Sequence, residues 1–410
     1  FWLKPFWPKP QCQPIRRTRR SLETTCTKVS RRGLRVQAAV LCNVLCIVRF
    51  ARRGMRPVKH LVPCWVRASS GKPRPTEGRS ELIKRVNRAT SAGGVLGALR
   101  TGGCEKDLSI AEVGAGITKL ARHRRTLAED DATARALGTF GDRALRAIPR
   151  HGDEATRELC NIVWALAKLR NRGEPFRRLL LPAVVDAFPK NAGSLNTLDV
   201  SNCLWAVAAL RKHEPRQVRS LVPMLLEAGL GMAAFMTPQT IANVVWSLGV
   251  LRLSDAPATA LLGALRQRAA VELERFKSQE MANMCWGLAL LSEKDEIIFG
   301  GVAELVAARA STMSDKSAEM DIPQIVLSLA KCGAWHRELF LVSAERLASR
   351  FPTMRPWGLC ALAWSYGRAA LVDDEQVLAS VRRRLDDELA QRCCDAEDVD
   401  RCLLGPDEWE

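Results

Sequence analysis

The tryptophan register constrains this chain more than any other feature. Four segments align without gaps: ELCNIVWALAKL (158–169), DVSNCLWAVAAL (199–210), TIANVVWSLGVL (240–251) and EMANMCWGLALL (280–291). Their tryptophans, Trp164, Trp205, Trp246 and Trp286, are spaced by 41, 41 and 40 residues. Three residues before each stands an asparagine: Asn161, Asn202, Asn243 and Asn283. A fifth copy, DIPQIVLSLAKC (321–332), has Leu327 in the Trp place and Gln324 in the Asn place. A sixth, LCALAWSYGRAA (359–370), returns to Trp364, and a degenerate copy, SIAEVGAGITKL (109–120), carries Ala115 there. A fixed period of this length is the mark of stacked units, each too small to bury its own apolar face.

Counted from the Trp, positions −5, −2, −1, +2 and +5 are almost always Leu, Ile, Val, Met or Cys, and −4, +1 and +3 are mostly Ala, Ser, Gly or Cys. A helix apolar on nearly every side is one walled in by neighbours. Its small residues admit a second helix at an axial distance of about 8–10 Å. Cap-like pairs mark the helix starts: Asn196 with Asp199, Thr237 with Pro238 and Thr240, and Ser278 with Glu280. Segments 176–188, 216–229, 257–275, 297–310, 337–350 and 375–392 have the amphipathic spacing of outer helices. The pattern predicts an all-α fold, a right-handed α-solenoid of about six to seven αα-hairpin repeats with a period of about 41. The array is expected over 105–394, best defined over 155–370, with 395–410 as a C-terminal tail.

The formal charge of +18 suggests a polyanionic partner until it is divided along the chain. Residues 1–100 hold 23 Lys and Arg against three acids, a net of +20, which leaves 39 basic and 41 acidic residues over the other 310. This basic leader is expected to be poorly ordered. Arg-rich, Ser/Thr-bearing and acid-poor, it has the composition of an organellar transit peptide, and a disordered tail or a nucleic-acid-binding arm are the other readings. Its apolar run at 36–48 has 13 residues, short of the roughly 20 that cross a bilayer, so no stable membrane span is expected. The chain begins at Phe1 rather than Met, so the natural start is expected upstream.

A single Tyr and 20 Pro speak against a β-rich fold. Of the 14 cysteines, Cys160, Cys203, Cys285, Cys332 and Cys360 fall inside the helical pattern as small hydrophobes. Cys42 with Cys46, and Cys393, Cys394 and Cys402, lack the partners of a zinc site, so neither metal nor other cofactor is expected, and the compartment is read as reducing. The five histidines, His60, His123, His151, His213 and His336, are scattered, and no phosphate loop, HExxH or nucleophile elbow occurs. Asp373, Asp374 and Glu375 read as the start of the last helix. The chain is expected to bind and not to catalyse, with no small-molecule substrate.

The motif in TPQTIANVVWSLGVL (237–251) and KSQEMANMCWGLALL (277–291), followed by an amphipathic helix, resembles the octotricopeptide-repeat proteins. It is also similar to the arrays of RAP-domain and FAST-kinase-like proteins. The resemblance spans about 155–370. It departs in period, 41 here against a nominal 38, and 371–410 does not resemble a complete RAP domain. It implies an organellar, plastid or mitochondrial protein that binds single-stranded RNA along its inner helices and acts in RNA stability, processing or translation. An armadillo- or HEAT-like scaffold for protein partners, cytoplasmic if the leader is no targeting signal, is the other reading.

Several rows are candidates for contact. Asn161, Asn202, Asn243 and Asn283 either bond base edges or tie stacked helices together, and their invariance suits the second. Variation at the inner-helix start makes Arg157, Gln239, Thr240, Gln279 and Glu280 better candidates for base readout, unless the acids only complement helix dipoles. Leu198, Met320, Glu158, Asp199 and Asp321 share those two rows. Six residues after the Trp come Arg170, Arg211 and Arg252, with Lys212 and Arg172 nearby: a phosphate ladder assisted by Arg177 and Arg178, or helix C-terminal charges. That row ends in Ser292, Gly333 and Ala370. Trp164, Trp205, Trp246, Trp286 and Trp364 are read as repeat core.

Overall fold

The computed structural model describes residues 80–100, 107–148, 155–188, 192–369 and 376–392. All of them fall within one compact unit, Pro73–Glu410. The leader up to residue 79, with its apolar run, Cys42, Cys46 and His60, lies outside the described residues, as do His151, Asp373, Asp374, Glu375, Cys393, Cys394, Cys402 and the tail.

Among the described residues the regular structure is all helical, with no strand. The chain opens with α1 (Glu81–Arg88) and α2 (Ala92–Arg100). Seven helices then carry the seven copies of the motif: α3 (Ile110–Arg122), α5 (Thr156–Lys168), α7 (Thr197–Leu210), α10 (Pro238–Leu251), α12 (Ser278–Leu290), α14 (Asp315–Cys332) and α16 (Pro356–Ala369). Each packs against the copies before and after it, an arrangement consistent with a helical repeat. Between them run α4 (Asp131–Ala147), α6 (Glu174–Asp186), α8 (Pro215–Arg219), α9 (Val222–Met232), α11 (Ala256–Glu272), α13 (Glu296–Arg309), α15 (Arg337–Ala348) and α17 (Gln376–Arg392). Within this set α4 packs on α6, α6 on α8, α9 on α11, α11 on α13, α13 on α15 and α15 on α17, which makes a second layer beside the inner helices.

Two departures from the sequence expectation have clear causes. The segment expected as one helix at 216–229 is split into α8 and α9, the second with Pro223 in its first turn, where a missing N–H costs nothing. By length and composition Pro215–Phe235 could also cross a membrane, but it is packed against α7 and α11 here. The helical unit also begins earlier than the strongly basic composition of 1–100 implies. α1 and α2 lie inside 1–100, yet Val86, Val95, Leu96 and Leu99 are buried in the same core as the repeats.

The caps explain why the helices begin where they do. Asn196 Oδ1 accepts from the Asp199 N–H at 2.9 Å while Asp199 accepts from the Asn196 N–H at 3.2 Å, a complete capping box. Thr237 accepts from the Thr240 N–H, and Glu280 accepts from the Lys277 N–H at 2.9 Å. Ser278, expected to share that cap, instead donates its hydroxyl to Asp321 at 2.6 Å, tying α12 to α14.

The helix ends repeat as well. Arg252, Ser292 and Gly333, each six residues after the Trp place, adopt left-handed φ values of 51°, 58° and 66°. After them the N–H groups of Leu253, Glu293 and Ala334 reach back to the carbonyls of Leu248, Leu288 and Leu329 at 3.0, 3.0 and 2.9 Å, a Schellman closure in three successive repeats.

Candidate binding groove

Positions −7, −3, 0 and +4 around the Trp are four, three and four residues apart, so they share one face of each inner helix. That face lines a groove of about 910 Å³ running across α3, α5, α7, α10, α12 and α14. Row −7 supplies Leu198, Gln239, Gln279 and Met320, row −3 supplies Asn161, Asn202, Asn243, Asn283 and Gln324, and row 0 supplies Trp164, Trp205 and Trp246.

The asparagine row does not tie the helices together as its invariance suggested. Asn161, Asn202 and Asn243 are half-buried, and their carboxamides have no protein hydrogen-bond partner among the described residues. Only the last pair is tied: Gln324 Nε2 donates to Ala282 O at 3.1 Å and to Asn283 Oδ1 at 3.4 Å.

The tryptophan row is core only in part. Trp286 is 0% and Trp246 7% exposed, whereas Trp164, Trp205 and Trp364 are half-buried. Trp246, Trp286, Leu327 and Trp357 form a second apolar cluster, flanked by Trp205, Trp364 and Leu389 and distinct from the main core between the layers. The indoles of Trp205 and Trp246 stack at 6.4 Å with 22° between planes. Cations cover three of the rings: Lys168 Nζ lies 4.2 Å over Trp205, Lys331 Nζ 4.6 Å over Trp286, and Arg368 5.7 Å over Trp364. Desolvation at its ring pulls the Lys331 ammonium below the usual lysine range, and Arg252 adds like-charge repulsion. All three cations occupy position +4, one turn beyond the Trp place on the same face, in a row that also holds Ala209, Val250 and Leu290, so that its basic character does not stand out in the sequence.

Electrostatically the groove differs from the near-neutral repeat body. Arg122, Lys168, Arg170, Arg211 and Lys316 line it, against the single acid Asp321. Burial raises the Asp321 carboxyl above the usual carboxylate range, partly opposed by the Ser278 hydrogen bond.

The other expected contacts lie elsewhere, for local reasons. Thr240, 4% exposed, and Glu280 are engaged in helix caps, which satisfy N–H groups that otherwise have no partner. Neither lines the groove, and Arg157 is exposed outside it. Within the +6 row, Arg170 and Arg211 do line the groove while donating to Ala167 O at 3.4 Å and Ala208 O at 2.9 Å of their own helices. Arg252 is a left-handed helix end, and Lys212 is exposed outside the groove. Arg172 donates to Leu127 O at 3.0 Å, a link between connecting segments. Buried Arg177 donates to Arg170 O at 2.6 Å and faces Glu214 at 3.7 Å, while Arg178 pairs with Glu174 at 2.7 Å, so both face protein acids.

No group of three or more His, Cys, Asp and Glu side chains able to hold a metal occurs among the described residues. Cys160, Cys203, Cys285, Cys332 and Cys360 are buried thiols outside any disulfide. The Cys160 thiol is pushed up strongly by its hydrogen bond with Cys203 and by burial, which leaves it un-ionised. Searches for related proteins return no matching family model and no matching curated protein.

Proposed function

We propose that this chain is an organellar RNA-binding protein of post-transcriptional RNA metabolism. In this reading it is a right-handed α-solenoid of about six to seven hairpins that holds single-stranded RNA along its inner helices. The observation that carries the reading is the composition of the groove. Five cations face one acid in a body whose net charge is close to zero, beside carboxamides with no protein partner. Phosphate contacts supply most non-specific affinity for nucleic acid. Asn and Gln carry both a donor and an acceptor, so they suit the edges of unstacked bases. The resemblance to octotricopeptide-repeat proteins points to an organelle, and the Arg-rich leader is consistent with import.

Because residues 1–79 alone carry a net +17, with 19 Lys and Arg against two acids, the test must isolate the groove. RNA affinity is measured for the whole protein at two salt concentrations, and for the variant Arg122→Ala/Arg211→Ala. Loss of two phosphate contacts lowers the slope of log affinity against log salt by about 1.4. Replacing Asn161, Asn202 and Asn243 by Ala weakens RNA binding without lowering the melting temperature. An unchanged slope together with unchanged affinity in both variants would favour the protein-scaffold reading, for which Leu198, 50% exposed in the groove, offers an apolar contact.

A further inference from the structure

Two asymmetries run along the groove and coincide. Trp164 and Trp205 are half-buried, Trp246 is 7% exposed and Trp286 is 0% exposed. Four of the five groove cations lie at the same end, and the fifth, Lys316, stands on α14 together with the groove's one acid, Asp321. Arg122, Lys168, Arg170 and Arg211 belong to α3, α5 and α7 or to their C-terminal ends. α10 and α12 line the groove with Gln239, Asn243, Gln279 and Asn283 and with no charge. The open indoles of α5 and α7 and four of the groove's five cations are therefore concentrated at the same end.

Trp164 and Trp205 both line the groove, with Lys168 between them. The Lys168 ammonium stands 4.2 Å over the Trp205 centroid and 6.0 Å from that of Trp164, between rings of successive repeats. One repeat further, the equivalent position holds Ala209, and Trp205 and Trp246 stack on each other instead. Resting on the single-stranded RNA reading above, we infer that Trp164, Trp205 and Lys168 form a nucleobase-stacking subsite confined to this end of the groove. A base takes the place of the Lys168 ammonium between Trp164 and Trp205, opposite the Trp205 face that stacks on Trp246, and Lys168 turns to the phosphate of that nucleotide. Arg170 and Arg211, oriented by the carbonyls of Ala167 and Ala208, flank the backbone. Asn161 and Asn202, three residues away on the same helix faces, reach the base edge. Stacking tolerates any base because every base has a π-face, which suits a place held by Trp in four successive repeats. α10 and α12 then contribute edge contacts without stacking.

The full-length protein is tested with an eight-nucleotide oligouridylate and an abasic strand of equal length, by affinity and by tryptophan emission. The subsite predicts quenching by the oligouridylate alone and at least about tenfold weaker binding of the abasic strand. Trp205→Leu or Trp164→Leu lowers oligouridylate affinity about tenfold and leaves abasic binding unchanged, while the Phe variants keep most of the affinity. Trp286→Phe, at a buried ring outside the groove, leaves both affinities as they are. Should a Leu variant fail to fold, the abasic comparison and the Phe variants still report on the subsite. Abasic binding as tight as oligouridylate, or equal losses for both strands in the Leu variants, overturns the subsite while leaving RNA binding intact. Absence of RNA binding by the unaltered protein overturns the functional reading and the subsite with it.

Discussion

Gly249 and Gly287 bring α10 and α12 together backbone to backbone: a Cβ on Gly249 would lie 2.4 Å from the Gly287 carbonyl oxygen, and a Cβ on Gly287 2.4 Å from that of Val245. Both residues occupy the small positions of the motif, +3 and +1. Neither can accept a methyl group without moving a helix, because the obstacle is main chain and not a flexible side chain.

Gly287→Ala is therefore expected to destabilise the protein by about 1–3 kcal/mol through overpacking, despite the gain in helix propensity. Thermal or urea unfolding measures this directly. A neutral or stabilising result would show that α10 and α12 do not meet at this distance.

Arg252 holds a left-handed φ of 51° at a helix end where the next-but-one repeat has Gly333 at 66°. Arg252→Gly is expected to raise stability by up to about 1 kcal/mol, because glycine adopts this conformation without a Cβ penalty. RNA affinity should change little, since the residue lies outside the groove. A large loss of affinity would restore Arg252 to the phosphate ladder.

The pattern made the inner helices legible because their determinant is local and repeated: an apolar surround, small contact positions and a cap at each start. Which tryptophans are open could not be read in the same way. Trp164 and Trp286 occupy one repeat position, but their exposure depends on neighbouring repeats, which the motif does not encode. The arginines misled for a related reason. Arg172, Arg177 and Arg178 are equally basic in sequence, and only packing shows that Leu127 O, Arg170 O, Glu174 and Glu214 hold them. α1 was hidden because the strongly basic composition of 1–100 was averaged over a buried Val86.

Arg177 is 2% exposed at its side chain and Glu214 11%. Arg177→Ala leaves Glu214 buried without that partner, at a cost on the order of 3 kcal/mol, so the variant should unfold earlier in urea. Its RNA affinity, measured under conditions where it remains folded, should match that of the unaltered protein. Reduced affinity with unchanged stability would instead identify a phosphate contact.

Burial raises the folded-state pKa of Asp321 above its ordinary value of 3.8. A raised carboxyl favours folding fully below the unfolded pKa, and that contribution is lost as pH rises through the folded value. Asp321→Asn keeps an acceptor for the Ser278 hydroxyl and removes the ionisation. Relative to the unaltered protein, the variant should gain stability between about pH 3.5 and pH 7. Urea midpoints at the two pH values test this, and a difference that stays constant or falls with pH contradicts it.

The central claim is that single-stranded RNA lies on the −3 and 0 rows of the inner helices. Photocrosslinking of thiouridine-substituted RNA to the full-length protein, with the modified peptides identified by mass spectrometry, tests it most directly because it separates the groove from the basic leader, residues 1–79, of net charge +17. The account predicts crosslinks in the α5, α7 and α10 peptides that carry Trp164, Trp205 and Asn243, with loss of the α7 crosslink in Trp205→Leu. Crosslinks found only in residues 1–79, or on the outer helices, would contradict it.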